Sequence, residues 1–523
     1  MTQANTNPPR DRADAAPLDA TDAETPRVIG GLAAFAVVAG SMLGVGIFLF
    51  PGKVAAAVDG EVAFFALWAL GGFFALAGSV ACGELGAMMP KAGGDYVFQR
   101  EAFGPSVAFA SGWVLFAAIF AGSIASMSVA VFQYEIGPLV GVNLNGAVLG
   151  FDPVTLPTAA ALGHDLEIAG TAVTISGAQL LAMGLILALT FLNDLGTRIS
   201  AGAQILLTLA PIAALAALAA WVLIAAPPVV AAPTTVKEGA TALTLGGLAA
   251  GFLAVNFAYS GWINIIYVAS EVKDPGKNVP RSMISATLGV TGLYLFLCVA
   301  FIAVLGFAGL SALGWTDAGT GVAQALGSPL LGTLVLVVIA VAIVTSVNAT
   351  VLSSARVAYA MAKRGAFWKG AGVLSGPNRT PRRALWVQAG LSSVIVLSGT
   401  FDAIVEMTSI AMFVTGSLTV LSLFVLRRTR PDLPRPYRAT GYPVLPALYV
   451  LLAVFAIGAK LWEAMTSTSD HPFFPLIGVG VLCVAMVVHL GATGRLKRAA
   501  GVAVVFLAAG LLLHGLSHWN VTG

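Results

Sequence analysis

The sequence predicts an all-α integral membrane protein of twelve transmembrane helices, arranged as an inverted repeat of five and five. Three observations predict it. Only 10% of the 523 residues are charged and 58% are hydrophobic, whereas a water-soluble surface holds charge near about 25%; most of the exterior must therefore face lipid. Lysine and arginine fall on alternate loops along the chain. Two of the apolar stretches, five apart in order, are interrupted by glycine or small polar residues at mid-length.

Stretches near the length needed to cross a bilayer, about 17 to 25 residues, follow one another in order. They run Val28 to Phe50, Val62 to Met89, Pro105 to Phe132, Gly177 to Leu192, Ile199 to Ala225, Leu245 to Val268, Ile284 to Phe307, Pro329 to Tyr359, Ala384 to Leu397, Ala403 to Leu426, Val444 to Ala464 and Phe474 to Leu490. Residues 1–26 are rich in Asp, Pro, Ala and Thr without an apolar run, which predicts a disordered cytoplasmic tail rather than a cleaved signal peptide. Residues 27–228 then hold the first repeat, 229–428 the second and 429–491 the last two spans. Within 492–523, the uncharged run Ala499 to Gly515 is either a thirteenth span or an interfacial helix, with Trp519 as a headgroup anchor.

Cytoplasmic segments retain positive charge. With the amino terminus inside, 24 of the 27 Lys and Arg residues lie on inner segments, leaving Lys53, Lys237 and Lys460 outside. A miscounted span would scramble this alternation. The long outer loop Gln133 to Ser176 has no Lys, Arg or Cys, and its stretch Leu166 to Ile175 alternates apolar and small polar residues around Ala169-Gly170, the pattern of a small hairpin. Prolines between Arg430 and Leu445 make that inner segment a rigid connector.

The first span contains Gly40-Ser41-Met42-Leu43-Gly44-Val45-Gly46 at its centre, and the sixth Phe257-Ala258-Tyr259-Ser260-Gly261-Trp262-Ile263-Asn264. Each glycine weakens a helix by about 1 kcal/mol, so these stretches predict local unwinding. Freed peptide groups are tolerated at membrane depth where they line a cavity or meet a ligand. Glycine also permits close helix packing. The pairing favours a binding site: segments one and six enter from opposite sides and match a five-helix inverted repeat. N–H groups at the start of the outer half-helix, near Val45 and Gly46, suit a carboxylate, and carbonyls freed from both breaks suit an ammonium. Such a site reads a zwitterion.

Other functions find little support. A net charge of +3 without basic–aromatic clusters excludes a nucleic-acid partner. Cys82, Cys298 and Cys483 each sit in apolar sequence as core thiols, and the five histidines form no ligand set, so no metal, cofactor or enzymatic chemistry is expected. A channel would not need paired breaks. Among ionisable residues within spans, Glu84 and Arg356 lie near cytoplasmic ends, either as an inner-gate pair or each reaching water. Glu406 is placed near the outer surface, and Lys460 and Glu463 are spaced for a local pair. With no charge predicted at the site, neutral amino acids are favoured over cationic or dicarboxylic ones.

Six motifs occur in order: Gly44-Val45-Gly46-Ile47-Phe48; Gly83-Glu84-Leu85; Pro90-Lys91-Ala92-Gly93-Gly94-Asp95-Tyr96; Arg100-Glu101-Ala102-Phe103-Gly104-Pro105; Phe257 to Trp262 leading into Glu271-Val272-Lys273-Asp274-Pro275-Gly276-Lys277; and Arg430-Pro431-Asp432-Leu433-Pro434-Arg435-Pro436-Tyr437. In these the chain, from Val28 to about Leu490, resembles the amino acid/polyamine/organocation superfamily of transporters, close to the L-type amino acid permeases. The resemblance implies alternating access, in the cell membrane, with an amino acid as substrate. It implies a site formed by Ser41, Met42, Leu43, Gly44, Val45, Gly46, Phe257, Ala258, Ser260 and Gly261, in which Val45 and Gly46 donate to the carboxylate and the carbonyls of Met42, Phe257 and Ser260 accept from the ammonium. Phe257 is then an outer gate, or simply a core aromatic. The same fold also carries amines or polyamines, and serves as a nutrient sensor without transport.

The chain departs from the family pattern. Val45 stands where many relatives have Ser, and Ile263 intervenes before Asn264, which weakens a side-chain role for Asn264. Where many members carry a lysine in the fifth span, the register puts Pro211, and residues 199–236 contain no Lys or Arg. A cation there, sodium above all, would be held by carbonyls near Gly40 and Leu43 with Ser346 and Thr350. Ala349 lacks a hydroxyl that sodium-coupled relatives often have there, so exchange or uniport is expected ahead of sodium coupling, with sodium or a proton as the coupling ion otherwise. The outer loop lacks the cysteine that eukaryotic relatives use to bond an accessory glycoprotein, so no disulfide-linked partner is expected.

Overall fold

The first predicted span is two helices: α1 (Gly31–Met42) and α2 (Gly46–Ala57), bent by 41° at the residues between them. The computed structural model describes residues 25–151, 173–225, 245–314, 316–398, 401–466, 486, 487 and 490. After α2 come α3 (Glu61–Met88), the short α4 (Asp95–Phe103) and α5 (Pro105–Val140). Then follow α6 (Gly177–Asp194), α7 (Thr197–Ala225) and α8 (Leu245–Ala258). Helix α8 gives way to turns and a 3-10 segment, Asn264–Glu271, so the sixth stretch is also broken. The second half continues with α9 (Pro275–Ala312), α10 (Ala318–Ala325), α11 (Pro329–Lys363), α12 (Arg382–Ser398), α13 (Phe401–Thr429) and α14 (Val444–Thr466).

Among the described residues, seven helices are long and apolar enough to cross a membrane, or eight when α1 and α2 count as one bent span. The predicted stretch Phe474 to Leu490 falls almost wholly outside the described residues, as do residues 1–24, Cys483 and the run Ala499 to Gly515. The side chains of Glu406, Lys460 and Glu463 are likewise outside the description.

Helix α5 departs from the expected plain helix: Leu115–Phe120 and Val131–Ile136 are wound with wider, π-type turns. In the outer loop, strand β1 (Ala147–Phe151) pairs antiparallel with β2 (Val173–Ser176), the end of the alternating stretch; the expected hairpin around Ala169-Gly170 falls on residues outside the description. The proline-rich connector is non-helical between α13 and α14, as expected of a segment short of backbone donors.

Helices α1 and α2 sit at the centre. Helix α1 is packed by α7, α9 and α11, and α2 by α8 and α9. Burial follows this order, since every residue from Ala36 to Phe50 is buried. Leu206, Ile224, Leu334, Val394 and Leu451 are exposed on outer helices, as lipid-facing residues must be. Cys82 and Cys298 are buried free thiols.

Candidate functional site

Glycine brings the two breaks together backbone to backbone. A Cβ on Gly46 would lie 2.4 Å from the Ala258 Cα, and one on Gly261 would lie 2.6 Å from the Ser41 carbonyl. Gly261 also has a φ of +104°, a conformation that side chains oppose. Close packing and unwinding, alternatives at the level of sequence, thus coincide at the same residues. The freed groups find specific partners. The Tyr294 hydroxyl of α9 donates to the Met42 carbonyl at 2.5 Å and lies 3.2 Å from the Ala258 carbonyl, bridging the breaks. Met42 also accepts from the Gly44 N–H at 2.7 Å. The Phe257 carbonyl accepts from the Ser260 N–H at 3.0 Å. No side chain caps α2, whose first N–H groups have no intrahelical acceptor.

Beside the breaks lies a cavity with about 780 Å³ of atom-free space, mouth included. Of the predicted substrate residues, Ser41, Phe257, Ser260 and Gly261 line it; Met42, Leu43, Gly44, Val45, Gly46 and Ala258 are not among its lining. The opposite wall is Leu115, Ile119, Phe120, Ser123 and Met127 of α5, with Met412, Phe413 and Thr415 of α13. The Phe257 ring meets Phe50 edge-on at 5.7 Å between centroids.

Three polar residues of this cavity were missed or discounted in the sequence. Asn264 donates to the Ser41 hydroxyl at 2.9 Å, tying the sixth break to the first despite the intervening Ile263. Tyr267 donates to Asp95 Oδ2 at 2.8 Å. Asp95 itself corrects the expectation of a chargeless site: it begins α4, just beyond the second span, yet lines the cavity. The signal was present in Gly93-Gly94, which turn the chain inward with φ of +100° and +45°; a Cβ on Gly94 would lie 2.7 Å from both Ile266 and Tyr267.

The residues proposed for a cation are engaged with the protein. Ser346 donates to the Ser41 carbonyl and Thr350 to the Ser346 carbonyl, each at 2.8 Å. Thr350 also lines the cavity. Opposite Gly40 stand Gln204 and Thr208 of α7, not Pro211 one to two turns further on. The Gln204 amide donates to Thr208 at 3.2 Å and to the Thr345 carbonyl at 3.2 Å, and accepts from Asn348 at 2.7 Å. Asn348 in turn accepts from Asn193 at 2.9 Å. A neutral, hydrogen-bonded chain therefore joins α6, α7, α11 and, through Thr208 to the Ala36 carbonyl at 3.0 Å, α1.

The inner-gate pair predicted between Glu84 and Arg356 does not form. Arg356, 1% exposed, does not reach water either: it pairs with Glu271 at 2.9 Å and donates to Thr197 at 2.7 Å. Glu84 takes Arg427 at 2.5 Å, Arg435 at 3.3 Å and the Ala439 N–H at 2.6 Å. Two fully buried charges on separate helices each recruited a nearer partner, one from the end of the sixth stretch and the other from α13 and its connector. Just before α1, Ile29 forms a parallel bridge with Val272: the Ile29 N–H donates to the Glu271 carbonyl and the Lys273 N–H to the Ile29 carbonyl, each at 2.9 Å.

Comparison with known proteins agrees with this geometry. The sequence model of the family described as "Amino acid permease" matches residues 29–487. The serine/threonine exchanger SteT of Bacillus subtilis is 29% identical over 87% of this chain and 95% of its own length. The human large neutral amino acids transporter small subunit 2 is 26% identical over 83% of this chain and 76% of its own. The human b(0,+)-type amino acid transporter 1 is 24% identical over 83% and 84%. Two helices broken face to face beside a cavity, and a family match across nearly the whole bundle, lead to one conclusion: the chain belongs to the amino acid permease family, multi-pass membrane proteins that transport amino acids and are not enzymes.

Proposed function

We propose that the chain carries neutral amino acids across the cell membrane by alternating access, through twelve spans built as two inverted repeats of five plus two. The carrying observation is the mutual approach of the breaks at Gly46–Ala258 and Gly261–Ser41 beside the cavity. Substrate carboxylate is held by N–H groups at the start of α2, and the ammonium by carbonyls around Phe257 and Ser260, while the Ser41 hydroxyl is spent on the Val37 carbonyl at 2.6 Å. The Met42 carbonyl, already taken by Tyr294 and Gly44, is the least available of the expected acceptors. No lysine, arginine or histidine is among the residues that line the cavity, which disfavours acidic substrates.

Exchange or uniport fits better than sodium coupling, since hydroxyls and amides near Gly40 already satisfy one another. The lysine and arginine pattern supports a cytoplasmic amino terminus, and the cysteine-free outer loop supports action without a disulfide-linked subunit. Asp95 favours one second reading, an amine or cationic amino acid with this carboxylate as its counter-charge. A thermal-stability screen in detergent against the twenty amino acids and a set of amines separates the two. A ligand at a hundred times its Kd stabilises by about 2.7 kcal/mol. Stabilisation by small neutral amino acids is expected; stabilisation by amines alone would overturn the neutral reading. Flux into proteoliposomes with and without a sodium gradient is expected to be equal, and a sodium-dependent rate would remove the exchange assignment.

A further inference from the structure

Asp95 is 2% exposed, and its Oδ1 has no hydrogen-bond partner. Its Oδ2 takes the Tyr267 hydroxyl. The titratable side chains facing it are Cys82 of α3, Tyr267 of the 3-10 segment and Tyr449 of α14, a thiol and two phenols of types ordinarily uncharged at pH 7. From α13 it faces Thr415 and Thr419, and the Thr419 hydroxyl is directed to the Thr415 carbonyl at 3.1 Å. Gln99, a turn further along α4, spends its amide on Thr415 and Thr419. Asp95 forms no ion pair among the described residues. An ionised carboxylate here would hold a charge on one phenolic hydrogen bond and whatever water the cavity admits.

Resting on the neutral-substrate reading above, we propose that Asp95 is a proton-binding site of the transport cycle: substrate loads when this carboxyl is protonated, so that binding takes up a proton. The physical reason is exclusion of water. A neutral amino acid filling the cavity removes the solvent that an ionised Asp95 needs and brings no net charge to replace it. The protonated carboxyl meets no such cost, and the proton enters from water at Oδ1, the oxygen without a partner. Burial already pushes this carboxyl up to about 7, with the Tyr267 hydroxyl drawing it down in part. Its charge state is therefore set near neutral pH, where substrate arrival can shift it.

Binding and proton uptake are linked reciprocally. For the purified protein, affinity for a stabilising amino acid is expected to be flat below about pH 6 and to weaken by about tenfold per unit above about pH 8. Titration calorimetry in two buffers of different ionisation enthalpy is expected to register proton uptake approaching one per substrate at the higher pH. In Asp95→Asn, whose amide mimics the neutral carboxyl, both the slope and the uptake are expected to vanish. An unchanged slope in Asp95→Asn, or a flat wild-type profile with substrate bound, overturns the proposal and leaves the amino-acid reading intact. Tighter binding as pH rises would make Asp95 an ionised counter-charge, and also overturns it. Should no amino acid bind, the neutral reading fails, and the proton site is still tested by infrared difference spectra of ligand-free wild type against Asp95→Asn. A protonated-carboxyl band that titrates between about pH 6 and pH 8 and is lost in the variant upholds it; absence of that band overturns it.

Discussion

Tyr294 shows what a single hydroxyl does at membrane depth. It occupies two carbonyls freed by unwinding, where water or lipid would offer a poor substitute. Tyr294→Phe keeps the ring against Trp68 and Tyr259, takes the hydroxyl from both carbonyls and leaves Met42 only its Gly44 N–H partner. The expected cost is about 1–3 kcal/mol, read as a lowered midpoint of thermal unfolding in detergent. Arg356→Ala strands the buried Glu271 carboxylate and is expected to cost about 3–5 kcal/mol; replacing both partners by apolar residues should recover much of that loss. Asp95 acts on stability with the opposite sign. Its carboxyl keeps a proton in the folded state up to about 7, while the unfolded chain releases it near about 4. The unfolded state thus binds fewer protons in that window, and stability falls as pH rises from about 4 to about 7, a slope absent from Asp95→Asn.

Among elements, the two broken helices carry the most demanding geometry. Gly261→Ala puts a methyl into the Ser41 carbonyl at a φ that favours glycine, and Gly46→Ala puts one into the Ala258 backbone. Each is expected to reduce substrate stabilisation and flux at least tenfold, as measured by the thermal screen and by proteoliposome uptake. These breaks were legible because glycine at the centre of an apolar run needs a reason. Long-range pairing was not. Glu84 and Arg356 fall near the same end of their spans in the sequence reading, and only the chain's path decides that Glu271 and Arg427 come nearer. Asp95 escaped for a related reason: a loop after a span reads as solvated, and the inward turn at Gly93-Gly94 places it beneath the sixth break. The register at Pro211 has no lysine to mark it, whereas Gln204 is located by the carbonyl it meets.

For the whole molecule, hydropathy located the described helices, since lipid and water are the two solvents that decide burial. With the amino terminus inside, the turn around Asn378 lies in the cytoplasm. A cysteine placed there, in a background lacking Cys82, Cys298 and Cys483, is expected to react with an impermeant thiol reagent only in inside-out vesicles; labelling of intact cells would reverse the orientation. The bridge between Ile29 and Val272 has a mechanical corollary. Stitched at Ile29 and Val272, α1 and the 3-10 end of the sixth stretch are constrained to travel as one rod, so any flexing of the pair falls on the bend between α1 and α2 and on the joint at Gly261.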